Sequence, residues 1–148
     1  MRVALLACLA LAMTAIPAPA QRQPFDQRTA VYELRTYYPA PGKLAPLNAR
    51  FRNHTLKLFE KHGMRNVAYW NEQPSQDAPD GRIIYILAFP DRAAKEAAWK
   101  AFIADPKWRQ LVATSEADGK LISKIDSVLM TMTDYSPPLM LGRGKPAR

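Results

Sequence analysis

The sequence predicts an α+β sandwich, and three observations carry that prediction. Stretches alternating with a period of two and stretches with helical spacing follow one another as β-α-β-β-α-β. Each stretch is fenced by proline, glycine or a capping aspartate. The chain is also 48% hydrophobic and 23% charged over 148 residues, the composition of one ordinary globular domain.

The elements can be justified in order. Residues 21–29 are polar and read as a linker to a domain spanning 30–138. Ala30 to Tyr38, rich in aromatic and β-branched residues, reads as the first strand and is stopped by Pro39-Ala40-Pro41-Gly42. From Leu44 to His62 the residues Leu44, Leu47, Phe51, Thr55, Leu58, Phe59 and His62 share one helical face, and Gly63 reads as the closing cap. Val67 to Glu72 is a second strand, followed by a polar loop and a third, almost wholly apolar strand from Arg82 to Phe89. Asp91 caps a second helix to about Ala104, and Asp105-Pro106 restarts it as N-cap plus first-turn proline. The last strand runs from Ile125 to Thr133, before the stop Tyr135-Ser136-Pro137-Pro138. This order is the pattern of a ferredoxin-like sandwich.

In such a sandwich the helices cover one sheet face and leave the other bare. Here Ile83, Tyr85, Leu87 and Phe89 alternate with Ile84, Ile86 and Ala88, so both faces of the third strand are apolar. Ile125 and Leu129 alternate with Val128, Met130 and Met132 in the last. A strand with no polar face requires cover on both sides, and the same face of a second copy supplies it with two-fold symmetry. A homodimer is therefore expected.

Met1 to Ala20 has a positive charge at Arg2, an apolar segment and the ending Ala18-Pro19-Ala20, the layout of a secretory signal peptide cleaved before Gln21. The expected location is periplasmic or secreted. Cleavage removes Cys8, the single cysteine, so thiolate chemistry and disulfides are excluded from the mature chain. The net charge of +8 is concentrated at the ends, in Arg2, Arg22, Arg28 and the tail residues Arg143, Lys145 and Arg148. The balanced body lacks the basic stripe that nucleic-acid binding needs, and residues 139–148 read as a disordered basic tail. Once the signal is removed, no apolar run is long enough to span a bilayer.

Four segments taken together, Val31-Tyr32-Glu33-Leu34-Arg35-Thr36-Tyr37, Arg52 to Met64, Asp105-Pro106-Lys107-Trp108 and Thr133-Asp134-Tyr135-Ser136-Pro137, resemble the NIPSNAP family. The resemblance implies a dimeric α/β barrel, in agreement with the dimer argument. It brings no established reaction. The wider superfamily includes cofactor-independent monooxygenases, isomerases and haem-degrading proteins, so membership permits an enzyme without naming one.

The sequence contains no G-x-S-x-G, phosphate-loop, dinucleotide or H-E-x-x-H motif. The two histidines, His54 and His62, lie about 12 Å apart along one helix at ~1.5 Å per residue, too far to share a metal ion. No metal site and no cofactor are expected. His54, at the edge of the apolar stripe, is expected to border a pocket with Tyr32, Tyr69, Trp70 and Tyr85, as a general base, a haem ligand or a structural group. Glu33 and Arg35 share a strand face expected to meet the dimer partner, where they form an interface ion pair or Arg35 anchors an anion. The function expected is an exported small-molecule-binding or interaction module. A monooxygenase or isomerase acting on a hydrophobic aromatic substrate, or a haem-handling protein, is the alternative.

Overall fold

The computed structural model describes residues 25–139. The expected signal peptide over 1–20 lies outside the described residues, as do 21–24 of the linker and all of the basic tail except Leu139. The elements are β1 (Val31–Pro39), α1 (Leu44–Arg50), a π-helical turn (Phe51–Thr55), α2 (Leu56–Lys61), β2 (Arg65–Asn71), β3 (Ile83–Phe89), α3 (Arg92–Ala104), α4 (Pro106–Ser115) and β4 (Ile122–Thr131). The strands form one antiparallel sheet in the order β2-β3-β1-β4. The fold is the expected ferredoxin-like α+β sandwich.

Local chemistry explains the ends of the helices. The Asp91 carboxylate accepts from the Ala94 amide at 2.7 Å, and that of Asp105 accepts from the Lys107 amide at 2.8 Å, so each satisfies an amide that its helix leaves unpaired. At the end of α2, Gly63 takes φ +78°, its amide donates to Glu60 and the Met64 amide donates to Phe59. Those two bonds are the paired closure that a left-handed glycine permits.

The first helical stretch was expected to be one α-helix, and it contains a π-helical turn instead. Leu47, Phe51, Thr55 and Phe59 are all buried, a spacing of four. Four residues overshoot an α-helical turn by about 40°, so a long row at that spacing drifts off the sheet. The wider turn at Phe51–Thr55 takes the drift back, and the Thr55 hydroxyl donates to the carbonyl of Arg50, five residues earlier, at 3.2 Å.

The core lies between the helices and one face of the sheet. Tyr69 stacks on Tyr85 with ring centroids 5.2 Å apart, Phe51 meets Tyr85 edge-on at 5.3 Å, and Phe102 lies 4.4 Å from Trp108. Arg50, buried at the other end, bonds Glu116 at 2.8 Å and thereby ties α1 to the end of α4.

The face of β1 that meets the helices is the one carrying Glu33, Arg35 and Tyr37, which corrects the expectation that Glu33 and Arg35 face a dimer partner. Tyr37 adds a ring to that core, edge-on to Phe51 and Tyr85. Trp99 of α3 and Ser127 of β4 supply donors that make the charges tolerable there. Tyr32, Leu34 and Thr36 consequently lie on the open face, beside Ile84, Ile86, Ala88, Val128 and Met130.

Candidate functional site

The open face carries a groove of about 490 Å³. Its floor is Tyr32, Ala68, Trp70, Ile86 and Met130, and one wall is the chain leaving β4 through Met132 to Leu139. A bulge in β2 between Asn66 and Ala68 turns Val67 onto the same surface. The wall is held by bonds to the segment before β1: the Leu139 amide donates to the Gln27 side chain at 3.0 Å, and Arg28 donates to the Asp134 carbonyl at 3.4 Å. The Tyr32 hydroxyl donates to the Gln27 carbonyl at 3.0 Å, and burial raises its pKa above the ordinary phenol value. Trp70 is 50% exposed, a large apolar ring that the described residues leave half uncovered.

A smaller hollow of about 240 Å³ lies at the β2 edge, between the π-helical turn and the sheet. Phe51, Leu56, Tyr69 and Ile83 line it, with Asn48 and Arg52 among its polar groups. The Tyr69 hydroxyl donates to Asn66, and burial is the main reason its pKa is raised far above the ordinary value.

The expected pocket is thus divided. Tyr32 and Trp70 share the open-face groove, and Tyr69 joins Trp70 at the smaller hollow. Tyr85 is fully buried in the core on the helix side. His54 is exposed and lines neither hollow, because the π-helical turn places Arg52, Asn53 and His54 together on the solvent side.

Glu33 and Arg35 form an ion pair at 2.8 Å, inside the chain rather than between chains. Glu33 Oε1 also accepts from the Ser127 hydroxyl at 2.7 Å, and Oε2 accepts from Trp99 Nε1 at 2.6 Å. The Arg35 guanidinium lies 4.3 Å from the Trp99 ring and 5.5 Å from that of Tyr37. Sequence reasoning missed Trp99, Ser127 and Lys95 as partners, because nothing in their local patterns links α3 and β4 to a charged strand residue.

It also missed the role of the second histidine. His62 Nε2 lies 2.7 Å from Asp105 Oδ2, and the Lys61 ammonium bonds the same oxygen. The Asp105 cap could be read from Asp105-Pro106, but its meeting with His62 depends on how α2 packs beside α4. Among the described residues there is no group of acidic, histidine or cysteine side chains arranged to hold a metal ion. Nor, among them, is any helix long and apolar enough to cross a membrane.

A family model described as NIPSNAP matches residues 32–137. The fold is similar to a crystal structure of an uncharacterized NIPSNAP-like domain protein from Burkholderia xenovorans, with TM-score 0.64 and 16% identity, covering 76% of this chain and 92% of that one. It is similar also to a NIPSNAP family protein of unknown function from Agrobacterium tumefaciens, with TM-score 0.62 and 23% identity, covering 78% and 98% respectively. The comparison with curated proteins finds no match.

Proposed function

This chain belongs to the NIPSNAP family, and from that premise we propose that it is an exported binding protein for a small apolar molecule, acting as a homodimer. The observation that carries the reading is the open-face groove. At about 490 Å³ it falls within the range of ~300–1,000 Å³ typical of ligand pockets, and its lining is mainly apolar. Met130 in the floor and Met132 in the wall give it an adaptable lining, and Trp70 offers a flat ring for stacking. Leu34, Ile84 and Val128 lie on the same face beyond the groove, so a second copy laid on them would roof it. Export is supported by the layout of Met1 to Ala20.

The monooxygenase and isomerase alternatives rely on His54 beside a cavity, and the haem alternative on an axial ligand from His54 or His62. Against them speak the exposed position of His54 on the π-helical turn and the engagement of His62 Nε2 by Asp105 at 2.7 Å.

Titration of the mature chain with Nile red, an uncharged apolar dye, tests the reading. Dye fluorescence should rise on binding, fall away in Trp70→Ala and persist in His54→Ala. Absence of binding, or binding indifferent to Trp70, would overturn it. N-terminal sequencing of material exported by its own host should begin at Gln21, and a mature chain retaining Met1 would refute export.

A further inference from the structure

The hollow at the β2 edge is built differently from the open-face groove. Its floor is Phe51 and Ile83, both buried, and the Tyr69 ring forms a wall above them. Phe51 and Tyr69 meet at 5.9 Å with their planes inclined by 61°, which makes an aromatic corner. The mouth is polar: Asn48, Arg52 and Asn71 stand there, and Arg52 and Asn71 are exposed, so the hollow is open to solvent beside the sheet edge. Its volume of about 240 Å³ lies below the ~300–1,000 Å³ of pockets for larger ligands, which limits the occupant to a single ring with a short head.

The charge at the mouth is of one sign. Arg52 is the single charged side chain in the lining, with no acidic residue among the others. Arg35, Arg50 and Arg82 each hold a glutamate, whereas Arg52 forms no ion pair among the described residues. The π-helical turn separates two adjacent side chains, keeping Phe51 in the floor and Arg52 at the mouth. Asn48 donates from Nδ2 to the Leu44 carbonyl at 3.2 Å and to Asn71 Oδ1 at 3.0 Å. That bond fixes Asn71 by its oxygen and leaves its Nδ2 without a partner among the described residues. Two sets of donors, a guanidinium and an amide, thus border an aromatic corner that supplies no acceptor charge of its own.

We infer that this hollow binds a small flat organic acid, its ring laid against Phe51 and Tyr69 and its carboxylate at the mouth, held by Arg52 and the Asn71 amide. Two carboxylate oxygens in one plane suit the fixed fork of an arginine, and aromatic neighbours favour a flat ring. The open-face groove has no charged side chain in its lining, so the two sites differ in the class of ligand they take.

Calorimetric titration of the protein with benzoate, and in parallel with benzyl alcohol, tests the inference. Benzoate should bind, and the alcohol should bind roughly fivefold more weakly or not at all, since it lacks the charge that Arg52 meets. Arg52→Met should weaken benzoate by about fivefold. Lys57→Met, which removes an exposed cation of α2 outside the hollow, should leave benzoate affinity unchanged. Both side chains are exposed, so both variants should melt with the wild type. Absence of benzoate binding, or equal affinity for acid and alcohol, would overturn the inference. So would wild-type affinity in Arg52→Met, or an equal loss in Arg52→Met and Lys57→Met, which would reduce the effect to the general charge of the surface.

Discussion

Trp99 donates its indole N–H to the buried carboxylate of Glu33 at 2.6 Å, and this bond joins α3 to the central strand β1. The acceptor is charged and almost inaccessible to water, so the bond is of the strong, charge-assisted kind. Trp99→Phe keeps a ring over Arg35 and deletes the donor. The variant should lose about 1.5–3 kcal/mol of stability by urea denaturation. A loss within about 0.5 kcal/mol, the range of ordinary surface changes, would show that the bond does not matter.

Asp105 links two helices, since its carboxylate caps α4 and takes Lys61 and His62 from the end of α2. Hydrogen bonds from Lys61, then His62, then the Lys107 amide hold its pKa well below the ordinary carboxylate value. A lowered folded-state pKa contributes stability that is fully present above the unfolded value of ~3.9 and is lost as pH falls below it. Melting temperature should therefore drop as pH is taken from about 5 to 2, and Asp105→Asn should flatten that limb while lowering the plateau near neutrality. An Asn variant with the full wild-type acid slope would assign the slope to other carboxylates.

Gly81 enters β3 at φ +71°, and a β-carbon there would stand 2.5 Å from the Glu72 carbonyl oxygen. Both the backbone conformation and the close approach demand glycine. Gly81→Ala should cost at least about 1–3 kcal/mol by chemical denaturation, from strain and displacement of the β2–β3 connection. A neutral substitution would mean that the connection relaxes freely.

Val128 is 53% exposed on the open face, opposite Leu34 in the register. Because the side chain is already half in water, Val128→Lys should leave the fold of the single chain intact. Sedimentation should find a wild-type dimer at micromolar concentration and a monomeric Val128→Lys protein with an unchanged melting temperature. A stable wild-type monomer would defeat the dimer reading.

The strands, the Asp91 and Asp105 caps and the Gly63 closure were legible in the sequence because each depends on residues within a few positions of one another. Strand polarity was not. Alternation in Val31 to Tyr38 shows that Glu33 and Arg35 share a face, but not that this face turns inward. Two charges normally mark the outer side, and the residues that reverse that expectation, Trp99 and Ser127, come from distant parts of the chain. The same distance hid the partition of the aromatic residues. Tyr69 and Tyr85 pack as core neighbours on one side of the sheet, while Tyr32 marks the groove on the other. His54 was misplaced by a purely local cause, a turn one residue wider than the helical period assumes.

That wide turn also bears on which changes of chain length the protein can absorb. Arg52, Asn53 and His54 are exposed, and the turn holding them carries one residue more than an α-helical course requires. Loss of one residue here would tighten the turn to ordinary α geometry and leave Leu47 and Phe59 on their present sides. The same loss within α2 would swing Phe59 about 100° away from Tyr85, whose ring now lies 6.0 Å from it. Homologues differing by a single residue in this helix are therefore expected to place the gain or loss at the exposed bend.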